Sequence, residues 1–271
     1  MKSKLKNIEY IRKKGVKISG AYIDENGILH VVLEDDTEID KLMQFASILP
    51  KELKIEKGKF TLHKFRLTST QINGYYILGI GSNGEQWLCS PDANGVTNYH
   101  CVRGASALYL MNGSTQMYQL DVVNVYPYTF INYFDASIVD HALWWEYPGN
   151  SFDTTLKAVL FAGNDQYAIL FDGSNTCYNS SCVRDLACRI STTSIGDVIY
   201  GYPWDYNAGN NVNRSLKIVG RGIAFVWDDQ TIRLFRDVLY AQSNDSISYP
   251  SIPGYSGSAW FPNGVPTPNP A

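Results

Sequence analysis

The chain has 271 residues, with 23 Lys and Arg against 26 Asp and Glu, a formal net charge of −3. Charged residues make up 18%, below the roughly 25% of an average soluble domain, while 45% are hydrophobic and 13% aromatic. That composition can bury a core and excludes wholesale disorder; no apolar run is long enough for a spanning helix, and the charge balance carries no nucleic-acid footprint.

The charge is unevenly spread. Residues 1–66 hold 14 basic and 10 acidic side chains, a balance of +4, and the remainder hold 9 and 16, a balance of −7. After Lys64 only Lys157 and Lys217 remain among the lysines. Three segments are expected: 1–58, basic and built for anchoring or oligomerisation; 59–261, a β domain; and 262–271, a proline-rich tail that cannot pair inside a sheet. The opening Met1-Lys-Ser-Lys-Leu-Lys has no apolar stretch behind it, so no signal peptide is expected.

Residues 2–14 place Leu5, Ile8 and Ile11 at spacing three, which fits one or two helical turns or an arm that orders on docking. Residues 16–36 read as a β-hairpin, with strands Ile18–Ile23 and Ile28–Leu33 joined by Asp24-Glu25-Asn26-Gly27. A short helix over 38–49 follows, opened by Thr37 and Asp40 and stopped by Pro50. Its Ile39, Leu42, Ala46 and Leu49 have the 3-4-3 spacing of an oligomerisation seam. The same face can equally pack against the body of its own chain. Residues 51–59 read as a linker or a solvated edge strand. From Phe60 onward the pattern is β. Asn-Gly pairs at 73–74, 83–84, 94–95, 112–113 and 263–264 punctuate apolar and β-branched runs. The fold class is therefore mainly β: an N-terminal hairpin plus short helix, then an antiparallel β-sandwich or jelly-roll-like domain.

The stretch from Gly15 to Asp40 resembles a hairpin module of head-fibre, tail-fibre and other appendage proteins of tailed bacteriophages. The matching positions are Gly15, Ile18, Ala21, Ile23, Gly27, Leu29, Val31, Leu33, Asp35 and Thr37. Asp35-Asp36 departs from the usual Asp-Gly. The resemblance covers about 26 residues and implies a virion address: an N-terminal end that touches other virion proteins, often as a homotrimer, carrying a displayed distal domain.

Exposed rings beside carboxylates and amides suit carbohydrate, because a ring face packs on the C–H face of a sugar. Trp144, Trp145 and Tyr147 form one such run, and Trp204, Asp205, Tyr206 and Asn210 a second; core or interface packing is the alternative for both. Asp135, Asp140, Glu146, Asp153 and Asp205 could supply a glycosidase pair only if two converged. No Gly-x-Ser-x-Gly, Walker or dinucleotide-binding pattern occurs. His100 and Cys101, as neighbours on a strand, would face opposite ways. The five cysteines are expected to be mostly reduced and buried, with one pair among Cys177, Cys182 and Cys188 as the alternative. Their spacing, even with a His such as His141, is too loose for a zinc site, so no metal and no cofactor is expected. The expected role is a non-enzymatic structural protein of a phage virion, made in the host cytoplasm, with adhesion to host glycan as a further step. A purely architectural cement, neck or baseplate component and a glycan depolymerase are the alternatives.

Overall fold

The computed structural model describes residues 2–67, 72–91, 96–126, 141–145, 157–172 and 193–262. With 49% strand, 13% helix and several antiparallel sheets, it meets the mainly β, sandwich-type expectation. No helix among the described residues is long and apolar enough to cross a membrane.

The largest sheet has ten strands. Six of them, Ala158–Gly163, Ala168–Asp172, Val198–Gly201, Arg214–Asp228, Thr231–Ser243 and Ala259–Phe261, close on themselves, because Val198–Gly201 pairs both with Ala259–Phe261 and with the start of Arg214–Asp228. Leu160, Ile199, Leu216, Ile218, Leu239 and Trp260 pack together from these strands. Over Ser215–Val219 of the long hairpin, buried and less buried residues alternate, as period-two geometry requires. From Gly222 to Val226 every residue is buried, so another layer covers that stretch.

The N-terminal segment is that layer. Gly20–Ile23 pair antiparallel with Arg221–Ala224, and the hairpin Ile18–Ile23/Leu29–Leu33 is buried on both faces. Helix Lys2–Lys13 drops Ile8 and Ile11 into a core shared with Ile223, Phe225 and Leu234. Glu9 takes a two-pronged hydrogen bond from Arg236 at 2.9 and 2.8 Å. Leu53–Lys57 runs parallel to Leu29–Leu33 as an edge strand, the second of the two forms expected there. The expected division at residue 58 is therefore not a division of the fold.

The oligomerisation seam is corrected too. The α-helix spans only Ile39–Met43, followed by a 3-10 turn at Ala46–Ile48. Leu42 and Leu49 are buried in the chain's own core, with Ile39 packed against it, and Ala46 is exposed. The spacing marked a buried face without saying whose core covered it.

A five-stranded antiparallel sheet, ordered Thr115–Gln119, Ala105–Asn112, Tyr75–Gly81, Gln86–Cys89, Phe65–Arg66, forms a second lobe with a smaller sheet of Asp121–Tyr126, His141–Trp145 and Val96–Thr97. Two serines join the lobes: Ser90 N–H donates to the Ser256 carbonyl at 2.8 Å, and Trp204 N–H donates to Ser90 Oγ at 2.8 Å.

Candidate active site

Between the lobes lies the loop Ser251–Ser258. Gly254 and Gly257 have φ of +103° and +85°, a region that side-chain-bearing residues avoid. A Cβ on Gly257 would lie 2.3 Å from Thr97 Oγ1, so the loop approaches the other lobe as closely as a glycine allows. These two glycines turn the backbone around Ser256. The N–H groups of Gly254 and Ser256 then converge on one oxygen, donating to it at 2.6 and 3.4 Å.

The Ser256 hydroxyl has two partners in reach: His100 Nε2 at 2.7 Å, and the Phe161 carbonyl, to which it donates, at 3.2 Å. His100 sits on the short helix Tyr99–Val102, directly after the strand Val96–Thr97. That helix is fixed from several sides. Cys101 is disulfide-bonded to Cys89, and Trp87 Nε1–H donates to the Cys101 carbonyl at 2.7 Å. Arg103, one residue beyond the helix, forks onto Asp228 at 2.9 and 2.8 Å. Burial pushes the Asp228 carboxyl up, and hydrogen bonds from Arg103 and Arg233 more than reverse this, holding it below the ordinary range. His100 opens onto a cleft of about 260 Å³ lined by Lys64, Arg66, Trp227 and Asp229 among others.

The arrangement holds the kinds of group that acyl transfer uses: a hydroxyl, an imidazole 2.7 Å from it, and two backbone N–H donors that share one carbonyl oxygen. Cys89, His100 and Cys101 also bring their ligand atoms within 4.8 Å of one another, but the two sulfurs are bonded to each other, which removes them as thiolate ligands. The disulfide corrects the expectation of reduced thiols; Cys177, Cys182 and Cys188 lie outside the described residues.

Among the described residues of the proposed glycan set, Trp204 and Asp205 are buried and already engaged. Trp204 is 3% exposed, packs against Phe65 and Tyr76, and donates Nε1–H to the Asn73 carbonyl at 2.9 Å, so it offers no ring face to a sugar. Asp205 is buried, and its oxygens are already used by the Asn207 and Ala208 N–H groups and by the Tyr249 and Tyr255 hydroxyls. Tyr206 is exposed, stacked on Phe65 with centroids 5.5 Å apart, and Asn210 is exposed. Trp144 and Trp145 lie in His141–Trp145, paired with Val122 and Asp121, but their side chains are outside the described residues, as is all of Tyr147. Ser256 escaped sequence reading because the loop reads Gly254-Tyr255-Ser256-Gly257-Ser258, with the second glycine directly after the serine rather than one further on. Comparison with protein-family models, curated proteins and solved structures returns no match to this chain.

Proposed function

We propose that this chain is a serine hydrolase that transfers acyl groups, with peptide bonds as its substrate class. Ser256 is the nucleophile and His100 the general base. The observation that carries this reading is the 2.7 Å contact between Ser256 Oγ and His100 Nε2 on a loop whose Gly254 and Ser256 N–H groups converge on one oxygen. In the reaction His100 Nε2 takes the hydroxyl proton as Ser256 Oγ adds to a carbonyl carbon. The carbonyl oxygen gains negative charge between the two N–H groups, and His100 then delivers the proton to the leaving nitrogen or oxygen. Peptides fit because Ala158–Gly163 pairs its main chain with an extended segment beside Ser256, the strand-addition mode of peptide binding. This departs from the expected non-enzymatic role, which rested on the resemblance of the N-terminal hairpin and on the contrast in composition between the two segments.

The test is covalent trapping with a fluorophosphonate, followed by peptide mapping. The proposal expects one adduct on Ser256, lost in His100→Gln. An unmodified Ser256 in the folded chain contradicts it.

A second reading keeps the chain as a structural virion protein of a tailed phage, an appendage or an architectural part. Two observations favour it. The hairpin from Gly15 to Thr37 forms with its Asn-Gly turn, and Asp35 Oδ1 accepts from Thr37 N–H at 2.9 Å, so the turn needs no glycine at 36. A buried disulfide also persists in the oxidising surroundings a released particle meets. Purified particles from a phage encoding this chain should then contain it; particles that lack it contradict this reading and leave the hydrolase untouched.

A further inference from the structure

The oxygen held by the Gly254 and Ser256 N–H groups belongs to the chain itself: it is the main-chain carbonyl of His63. The segment around it is laid out as a bound substrate would be. Leu62 and Thr61 pair antiparallel with Ala162 and Gly163. His63 N–H donates to the Phe161 carbonyl at 3.3 Å, the same oxygen that the Ser256 hydroxyl reaches at 3.2 Å, and Ser256 N–H donates to the His63 carbonyl at 3.4 Å, so the His63 backbone runs beside the Ser256 backbone. The imidazole is buried, with Nε2 3.1 Å from Ser251 Oγ and no room for a Cβ on Gly163. Beyond the carbonyl the chain crosses to the other lobe. Lys64 lies over the Trp87 ring at 4.4 Å, and Phe65–Arg66 pair with Leu88 and Trp87. Both sides of the His63–Lys64 peptide bond are thus anchored, one on each lobe.

We infer that this chain cuts itself between His63 and Lys64, using Ser256. The inference rests on the hydrolase reading and names that site's first substrate. Ser256 Oγ bonds to the His63 carbonyl carbon and its proton passes to His100. The oxygen develops its charge toward Gly254 and Ser256 N–H. The bond from His63 carbon to Lys64 nitrogen breaks as His100 protonates that nitrogen. Water then adds to the ester, giving up a proton through His100 to Ser256 Oγ. One water is consumed, leaving a carboxyl on His63 and a free amino group on Lys64. The two pieces stay together after cleavage, because Gly20–Ile23 remain hydrogen-bonded to Arg221–Ala224.

The experiment is a time course of the purified full chain, denatured and read by intact mass and amino-terminal labelling, with a parallel fluorophosphonate arm. The expected result is a 63-residue piece and a 208-residue piece that begins at Lys64. Ser256→Ala should slow this by about 10⁴-fold or more. Lys64→Pro, which alters the bond to be cut and neither Ser256 nor His100, should stay whole. A wild-type chain that stays whole while Ser256 is labelled overturns self-cleavage and spares the hydrolase reading. A chain neither cut nor labelled overturns both, and so does cleavage that persists undiminished in Ser256→Ala.

Discussion

Two buried histidines each hold Nε2 within hydrogen-bond reach of a serine: His100 at 2.7 Å from Ser256, and His63 at 3.1 Å from Ser251. The pairs share chemistry and burial but differ in what surrounds the serine. Ser256 sits between two positive-φ glycines, and its loop presents two N–H groups to one point. Each serine hydroxyl also reaches a main-chain carbonyl, Tyr167 for Ser251 at 3.3 Å and Phe161 for Ser256 at 3.2 Å, and among the described residues His63 Nδ1 has no hydrogen-bond partner. A serine–histidine contact alone satisfies two polar groups in a core. Anion donors beside the hydroxyl are what make it able to act on a carbonyl.

The sharpest way to break this comparison is to delete each hydroxyl. Ser256→Ala should cost about 10⁴-fold or more in acyl-transfer rate, whereas Ser251→Ala should change it by a factor of a few at most, in single-turnover assays on a peptide ester. Equal losses would mean that the donor pair does not distinguish the two sites.

Much of the fold was legible in the sequence. Asn-Gly at 26–27, 83–84 and 112–113 sits in hairpin turns with the glycine at positive φ, as the alternating runs beside it imply. The candidate site was not. Its two side chains are 156 positions apart and meet only when the lobes close. Trp204 misled for a related reason: its polar neighbour Asp205 looks like a ligand in sequence, yet its carboxylate is consumed by backbone N–H groups and tyrosine hydroxyls. The Ile39, Leu42 and Leu49 face was legible as buried, but spacing carries no information on which chain buries it.

A smaller effect separates the two histidines through their supports. The Cys89–Cys101 link, which ties down the helix of His100, closes a loop of 12 positions. Replacing both cysteines by serine should cost about 3 kcal/mol in denaturant unfolding and should slow labelling of Ser256 more than it disturbs the His63 slot. Full labelling at the wild-type rate would make the link a fold staple only.

The smallest effect is on pH dependence. Burial first, and the neighbouring His100 second, push the His63 imidazole down to about 3. The unfolded chain takes up that proton near the ordinary 6.5 and the folded chain does not, so stability is full above about pH 6.5 and falls as the pH drops toward 3. The slope from this group is at most about 1.4 kcal/mol per pH unit. His63→Phe should flatten it between pH 6.5 and 5, where carboxylates contribute least; an unaltered slope would show that His63 is accessible to protons in the folded chain.

The most direct measurement is the mass map of the intact chain after fluorophosphonate treatment. One adduct on Ser256, absent in His100→Gln and unaffected by Ser251→Ala, is the predicted result. An intact Ser256 beside label at other serines would contradict the claim that this loop builds a nucleophile.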